Sequence, residues 1–101
     1  MEKLKAHYQL ASVKAAFAHP ASLNRTFISQ QGADGLGMED SDVVAVIQNL
    51  TLADFDKSMT SNSNHAIWQD VYKPRHDGRT LYVKFTIDAS KSLLLISFKE
   101  A

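Results

Sequence analysis

The sequence contains no cysteine, only two prolines and only four glycines. Without cysteine the chain can form neither disulfides nor thiolate metal sites. Its histidines show no spacing such as HxxxH that would bring two imidazoles to one metal ion. We therefore expect no metal site and no cofactor, and any chemistry must rely on other side chains. The four histidines are His7, His19, His65 and His76.

Long apolar runs are also missing. Runs such as Leu93–Ile96 fall far short of the roughly 20 apolar residues that a membrane-spanning helix needs. No apolar signal segment follows the first lysines. We expect a cytoplasmic protein with no membrane partner. With 101 residues, 45% hydrophobic and 22% charged, the composition is that of a single globular domain spanning residues 1–101.

The net charge is zero, but the charges are unevenly distributed. Residues 1–56 carry four basic and seven acidic side chains, a net charge of −3, whereas residues 57–101 carry seven basic and four acidic ones, a net charge of +3. Such a dipole can bind a polyanion on one side of a neutral molecule, and chance is the alternative explanation. The acidic run from Asp34 to Asp56 is interpreted as a solvated helix face, with a basic partner as the alternative.

The first half of the chain has the periodicity of α-helices. Apolar residues in Tyr8–His19 recur at the three-and-four spacing of an amphipathic helix, which Pro20 ends. Ser41 is a candidate N-cap for a second helix that reaches Leu50. The stretch Thr51–Asp54 resembles a capping box with Asp in place of Glu, which predicts a short helical turn.

The segment between these two helices is predicted to be irregular. Arg25–Ser29 is a short β-prone run, and Gln30–Asp40 is rich in Gly and Asp, which is typical of a loop. The glycines at 32, 35 and 37 do not form a phosphate-binding loop, because their spacing is wrong and no Lys-Ser/Thr follows.

From Phe55 onward the periodicity changes to two, which is typical of β-strands. We predict an α+β fold in which a twisted antiparallel sheet of about four strands packs on the N-terminal helices. The first strand should place Phe55, Lys57 and Met59 on one face. Turns are predicted at Asp77-Gly78 and at Asp88–Ser92. The predicted strands are Phe55–Met59, Ile67–Lys73, Leu81–Ile87 and Leu93–Lys99.

One face of this sheet has the composition of an RNA-binding surface. Alternation along the third strand turns Tyr82 and Lys84 away from the helices, beside strands that carry Lys57, Gln69 and Lys99. RNA modules use such a face, where an aromatic ring stacked on a base contributes ~1 to 3 kcal/mol. Alternatively, these are the ordinary solvent-facing residues of an antiparallel sheet. The opposite face of the same strand consists of Leu81, Val83, Phe85 and Ile87.

Three further features each have two interpretations. Trp68 is either a base-stacking platform or a core or wall residue that supports Gln69, and the ambiguous alternation of its strand leaves both open; we favour the wall. His65 is either a turn residue or a proton carrier. Three carboxylates could hold a magnesium ion, although helix-cap and surface roles are favoured. These carboxylates are Asp54, Asp56 and Asp70.

The stretches FDKSMTSNSNHAIWQDVYKPR, LYVKFTI and LLLISFKE resemble the motility quorum-sensing regulator (MqsR) family of bacterial toxin–antitoxin systems. The elements KSMT, IWQDVY, PR and SFKE, in that order and spacing, form a specific signal. The resemblance runs through nearly the whole chain and departs at the last hairpin, Asp88–Ser92, which is longer than the family pattern.

This resemblance implies a RelE-like fold and an mRNA interferase, an endoribonuclease that cuts messenger RNA at short, GCU-type sites without the ribosome. It also implies a cognate zinc-containing, helix-turn-helix antitoxin, with DNA contacted only through the antitoxin complex. The motifs carry the family's active-site residues onto Lys57 in KSMT, Gln69 in IWQDVY, Tyr82 in LYVK and Lys99 in SFKE.

A metal-free ribonuclease can use the 2′-hydroxyl of RNA as its nucleophile, so the protein must supply a proton acceptor, a proton donor and positive charge. We assign Lys57 and Lys99 to the scissile phosphate, Tyr82 to a proton or to orienting the 2′-hydroxyl, and Gln69 to hydrogen bonding of phosphate or base. Two alternatives stay open: a non-catalytic RNA- or protein-binding regulator, and a ribosome-dependent nuclease. The expected RNA-binding residues are Lys73, Arg75, Lys84 and His65, the last also a reserve proton carrier.

Overall fold

The computed structural model describes all 101 residues and confirms the predicted α+β architecture, with helices in the first half of the chain and most strands in the second. None of the helices has the length and apolar composition of a membrane-spanning segment. The α-helices are α1 (Leu10–Ala16), α2 (Phe27–Gly35) and α3 (Asp40–Gln48), and short 3-10 helices cover Pro20–Ser22 and Leu52–Asp54. The strands are β1 (Glu2–Lys3), β2 (Phe55–Thr60), β3 (Trp68–Tyr72), β4 (Arg75–His76), β5 (Arg79–Ile87) and β6 (Leu93–Glu100).

The sheet is antiparallel, and its neighbouring strands follow the order β1, β2, β3, β5, β6. The two-residue strand β4 pairs with the beginning of β5. Asp77 and Gly78 join β4 to β5 with positive φ angles of 51° and 80°, as the predicted tight hairpin requires. In the β5–β6 turn, Asp88 accepts hydrogen bonds from the N–H groups of Ser90 and Ser92.

All three helices contribute side chains to one core on one face of the sheet. Burial of this apolar surface is the main driving force for folding, at roughly 25 cal/mol per Å² removed from water. The other face carries no helix, so its residues depend on one another for burial. The core consists of Val13, Phe17, Ala33, Val43, Val46, Ile47, Leu50, Tyr72, Leu81, Val83, Phe85, Leu95 and Phe98.

Helix α2 contradicts the prediction of a β-prone run over Arg25–Ser29 and a loop over Gln30–Asp40. Only Arg25 forms a β-bridge, and Thr26 caps the helix by accepting a hydrogen bond from the Ser29 N–H at 3.2 Å. The glycines of this segment suggested a loop, but Gly32 allows close contact between the helix and a strand. A Cβ atom at this position would collide with the carbonyl oxygen of Phe98 in β6, so glycine lets the helix approach the strand.

The observed helices also begin at residues other than the predicted ones. Helix α1 begins at Leu10 rather than Tyr8, because the backbone N–H groups of His7 and Tyr8 donate to the Asp70 carboxylate at 3.1 and 2.8 Å. Helix α3 begins at Asp40, two residues earlier than a Ser41 cap would allow, with Glu39 as the N-cap.

The predicted capping box at Thr51–Asp54 is confirmed. The backbone N–H of Thr51 donates to the Asp54 carboxylate at 2.8 Å, and a 3-10 turn follows. Carboxylates at the start of a helical turn satisfy N–H groups that have no other partner. Asp54 therefore has a structural role next to β2.

Candidate active site

A β-bulge in β2 turns Lys57 onto the helix-free face of the sheet. Phe55 pairs with Tyr72 and Lys57 pairs with Val71, so Asp56 is the extra residue. The Phe55 ring therefore packs on the core side, with its centroid 5.4 Å from that of Tyr72. The prediction that Phe55 and Lys57 share a face is wrong, because one inserted residue reverses the alternation.

A second bulge, in β6, does the same for Lys99. Ile96 is the extra residue there, since the pairing with β5 shifts around it. Leu95 and Phe98 consequently both reach the core although they are three positions apart. Lys99 then pairs with Tyr82 on the helix-free face. Both bulges thus aim a lysine at the same side of the sheet, as bulges near functional sites commonly do.

Five polar side chains meet on this face, and we call them the lysine face. The Lys84 ammonium lies 3.5 Å from the Gln69 amide oxygen and 5.7 Å from the centroid of the Tyr82 ring. The Lys99 ammonium lies 5.4 Å from the same ring. The predicted orientation of Tyr82 and Lys84 is therefore confirmed. The lysine face consists of Lys57, Gln69, Tyr82, Lys84 and Lys99.

Val71 forms the floor beneath these side chains. It pairs with Lys57 on one side and with Lys84 on the other. Val71 has no exposed surface, yet it does not belong to the helix-side core. The aliphatic stems of long charged residues can cover apolar surface while their charged ends stay in water. The buried Val71 side chain thus offers the stems of Lys57 and Lys84 an apolar surface between them.

The three lysines affect one another electrostatically. Burial lowers the pKa of Lys84 below its ordinary value, and the charges of Lys99 and Lys57 lower it further. Lys84 therefore holds its proton less tightly than an ordinary lysine. This electrostatic property distinguishes Lys84 from an isolated surface lysine.

Lys57 has the opposite character. A hydrogen bond from its ammonium to the Glu2 carboxylate, and the charge of that carboxylate, raise the pKa of Lys57. The Lys57 Nζ and Glu2 Oε1 atoms lie 3.0 Å apart. Lys57 thus stays charged and suits a role in binding an anion.

No pattern in the sequence pointed to Glu2. It lies in β1, a strand of two residues that is too short to show any periodicity. In the structure Glu2 pairs with Met59 and Lys3 pairs with Ser58. Alternation therefore places Glu2 on the side of the lysine face and Lys3 on the opposite side.

The other predicted RNA-binding residues lie around the lysine face rather than in it. Lys73 pairs with Asp56 at 3.6 Å and lines a groove of about 450 Å³ together with Glu2 and Lys57. Arg75 belongs to the β4 hairpin, where its guanidinium donates to the Gly78 carbonyl at 3.2 Å. His65 is exposed in the turn between β2 and β3, which supports the interpretation as a turn residue.

A second groove, of about 380 Å³, runs along the other side of the lysine face. Gln69 and Lys84 form its inner wall, and the loop that follows β2 forms its outer wall. The two grooves flank the row of Lys57, Val71 and Lys84. An extended polyanion could follow this surface with one unit in each groove.

Trp68 lies on the opposite face of the sheet and does not support Gln69. Its ring stacks on His7 with centroids 5.6 Å apart, and the Lys3 ammonium lies 4.1 Å from the ring centroid. Lys3 also lies 2.9 Å from the His7 ring nitrogen Nδ1. Trp68 thus fastens residues 3–7 to the sheet, and no role in base stacking on the lysine face follows from its position.

The three carboxylates considered for magnesium have separate partners. Asp54 caps a 3-10 turn, Asp56 pairs with Lys73, and Asp70 is fully buried, so a surface role for Asp70 is wrong. No group of three metal-ligating side chains is present. The acidic residues between 34 and 42 are exposed on or beside α2 and α3, and Asp40 among them pairs with Arg25 at 2.6 Å.

Comparison with known proteins gives two matches. The family described as "Motility quorum-sensing regulator, toxin of MqsA" matches residues 5–100. The chain is also 39% identical, over 100 residues that span 99% of each chain, to the mRNA interferase toxin MqsR of Escherichia coli (strain K12). The family match includes every residue of the lysine face and begins after Glu2.

Proposed function

The chain belongs to the motility quorum-sensing regulator toxin family, and on that premise we propose that it is an endoribonuclease that cleaves messenger RNA. The observation that carries the proposal is the lysine face, where three cations, a phenol and an amide converge on one helix-free surface. Cleavage occurs at short GCU-type sites and needs neither a metal ion nor the ribosome.

The reaction uses the 2′-hydroxyl of the substrate as the nucleophile. Attack on the adjacent phosphorus breaks the bond to the 5′-oxygen and leaves a 2′,3′-cyclic phosphate and a 5′-hydroxyl. The crowded transition state carries extra negative charge on the phosphoryl oxygens, which positioned cations stabilise. Lys57 and Lys99 supply that charge. Tyr82 orients the 2′-hydroxyl and Gln69 holds phosphate or base by hydrogen bonds.

Binding of the RNA chain extends beyond these four residues. Lys73 lies in the groove beside Lys57, and Lys84 lines the groove on the other side. Phosphate contacts from lysine and arginine dominate the affinity for nucleic acids and make it dependent on salt. Lys73 and Lys84 therefore guide the strand, with Arg75 and His65 as outer contacts.

The family description names a "toxin of MqsA", and we infer that this chain likewise has an antitoxin partner. A cognate zinc-containing, helix-turn-helix antitoxin neutralises this chain, and DNA is contacted only by the complex. The free toxin would act in the cytoplasm, where messenger RNA is translated.

The test is incubation of the purified protein with a synthetic RNA that contains one GCU site, in EDTA and without ribosomes. The expected result is a single cut that leaves a cyclic phosphate, and no cut when the nucleotide that supplies the 2′-hydroxyl is replaced by its 2′-deoxy form. Tight binding without cleavage would favour the non-catalytic regulator. Cleavage only with translating ribosomes would favour the ribosome-dependent nuclease.

A further inference from the structure

The lysine face lacks a proton acceptor. Its five side chains are three ammonium groups, a phenol and an amide, and none of these is a strong base in its ordinary state at neutral pH. Attack by a 2′-hydroxyl nonetheless requires that its proton be taken up by some group. The base must therefore come from another part of the chain that reaches this surface.

Glu2 is the carboxylate that reaches it. Its Oε1 atom lies 3.0 Å from the Lys57 ammonium, and its side chain is 59% exposed. Lys57 meets only one of the two carboxylate oxygens, so the Oε2 atom is free for another partner. The β1–β2 pairing fixes this arrangement: Glu2 lies opposite Met59, and the Met1 carbonyl accepts a hydrogen bond from the Thr60 N–H at 2.9 Å.

Other groups near the surface are less suitable. The Asp56 carboxylate is drawn to Lys73, with 3.6 Å between Oδ2 and Nζ, and belongs to the bulge residue of β2. Asp70 is buried on the opposite face. Lys57 is held in its charged form by Glu2 itself. Among these groups only Glu2 combines a negative charge, a free oxygen and contact with the lysine face.

We propose that the Glu2 carboxylate is the general base of the reaction, a catalytic residue that accepts the proton of the attacking 2′-hydroxyl. This proposal rests on the proposed ribonuclease function. The new bond joins the 2′-oxygen to phosphorus, and the bond from phosphorus to the 5′-oxygen breaks. Glu2 gains the proton of the 2′-hydroxyl, and a water molecule gives a proton to the leaving 5′-oxygen. Transfer of the proton from Glu2 to the resulting hydroxide restores both the carboxylate and the water.

The Lys57–Glu2 pair explains how the base and the bound phosphate of the RNA can lie side by side. Lys57 holds one oxygen of Glu2, so a phosphate bound by Lys57 lies next to the base. The negative charge of Glu2 must at the same time repel the negatively charged RNA. Glu2 therefore weakens binding while it accelerates the chemical step, and these opposite effects distinguish a base from a residue that only supports the strand.

The decisive experiment compares wild type with Glu2→Gln, using the GCU-containing RNA for single-turnover cleavage and its 2′-deoxy analogue for the dissociation constant. Glutamine keeps an oxygen that can accept the Lys57 hydrogen bond, but it cannot take up a proton. We expect a cleavage rate roughly 100-fold lower or more, with equal or tighter binding. The matched control is Asp56→Asn, which removes a neighbouring carboxylate and should leave the rate within about threefold of wild type.

Two further readouts separate catalysis from structure. The rate of Glu2→Gln should rise with pH relative to wild type, because hydroxide replaces the missing base. Glu2→Asp, which retains a carboxylate on a shorter stem, should recover part of the lost rate. An unfolding midpoint equal to that of wild type would show that β1 still pairs with β2.

Several results would overturn the proposal. Wild-type cleavage together with an undiminished rate in Glu2→Gln would exclude Glu2 as the base. A faster rate and tighter binding in Glu2→Gln would show that Glu2 merely obstructs RNA. Equal losses in Glu2→Gln and Asp56→Asn would indicate a general charge effect. If the wild-type protein itself left the RNA intact, the proposed function would fail first, which is a separate outcome.

Discussion

The two faces of the sheet give a carboxylate opposite surroundings. On the helix-covered face, Asp70 is fully buried and accepts hydrogen bonds from the His7 and Tyr8 N–H groups and from the Ser58 hydroxyl at 2.6 Å. On the helix-free face, Glu2 meets a single ammonium and stays largely in water. A carboxylate enclosed by donors holds structure together, whereas one with a free oxygen is available for chemistry.

Alternation along the strands produces this difference. Ser58 and Asp70 face each other across β2 and β3, one position away from Lys57 and Gln69, which point to the other side. The same two strands therefore anchor the N-terminal segment on one face and present the lysine face on the other. Substitutions at adjacent positions should then affect either stability or activity, but seldom both.

The largest effect is expected when the enclosed carboxylate is changed. Asp70→Asn would place an amide NH₂ group against one of the three donors that now bind oxygen. Leaving buried polar groups without partners costs on the order of 3 kcal/mol here, because several hydrogen bonds depend on one side chain. Urea unfolding followed by circular dichroism measures this loss.

Asp56→Asn is the matched control for stability. Its partner Lys73 is half exposed, and exposed ion pairs contribute about 1 kcal/mol or less. An equal loss of stability in both variants would show that the buried Asp70 carboxylate contributes no more to stability than the partly exposed Asp56–Lys73 pair.

On the lysine face we expect the reverse pattern. Lys57→Ala and Tyr82→Phe should each lower cleavage of a GCU-containing RNA at least about tenfold, with unfolding midpoints close to wild type because both side chains are partly exposed. Lys14→Ala, which removes a lysine from α1 on the other side of the molecule, is the control and should cleave normally. Full activity in both site variants would refute the assignment of the lysine face.

Substitution of Lys84 tests whether a charged residue of the lysine face lowers the stability of the fold. Its lowered pKa means that the folded state disfavours the charged form. This penalty is fully present at pH values below the folded pKa and disappears as the pH rises toward 10.5, the ordinary value. Lys84→Met should therefore raise the unfolding midpoint at pH 7, and the gain should shrink as the medium becomes alkaline.

The same substitution should also lower RNA cleavage, roughly tenfold or more, because a cation that would hold the RNA phosphates is lost. Gain of stability with loss of activity would show that the like charges are maintained for function. A less stable Lys84→Met protein would instead show that the contacts of the Lys84 ammonium with Gln69 and with the Tyr82 ring contribute more than the repulsion between the lysine charges.

The smallest effect is expected at Tyr72 on the helix-covered face. Its hydroxyl is buried without a hydrogen-bond partner, so Tyr72→Phe should change stability at neutral pH by less than about 1 kcal/mol. Burial raises the pKa of Tyr72 to about 12 from the ordinary 10.0. The folded state therefore keeps the proton where the unfolded state loses it, and stability falls as the pH rises above 10.0 toward about 12.

Unfolding free energies measured from neutral to alkaline pH would test this. Tyr72→Phe should lose less stability than wild type above pH 10, the tyrosine's ordinary value. Tyr8, whose pKa is also raised by burial, contributes the same decline to both proteins. Identical pH dependence in both would mean that Tyr72 does not titrate as its surroundings indicate.

The features that could be predicted from the sequence are those that depend on short-range patterns of residues. Period-two alternation located β5 and turned Tyr82 and Lys84 to the helix-free side, and Asp77-Gly78 specified its hairpin. The motifs supplied Lys57 and Lys99, which the two bulges then aim at the same face.

The remaining features depend on contacts between distant segments. A bulge is decided by pairing across strands, so Phe55 and Lys57 could not be assigned to opposite faces from alternation alone. Helix α2 was missed because glycine is typical of loops. Gly32 instead allows the helix to contact Phe98, a residue distant in the sequence. Glu2 was missed because its place beside Lys57 follows from a two-residue pairing.

Because α2 packs closely against β6, a residue of α2 outside the lysine face can affect the position of Lys99. Besides the collision with Phe98, a Cβ atom at Gly32 would lie 3.6 Å from the Cβ atom of Lys99. A larger residue in α2 would therefore displace the backbone that carries this lysine. In a genetic selection for loss of toxicity, we therefore expect inactivating changes at Gly32 as well as at the lysines, although Gly32 is not part of the lysine face.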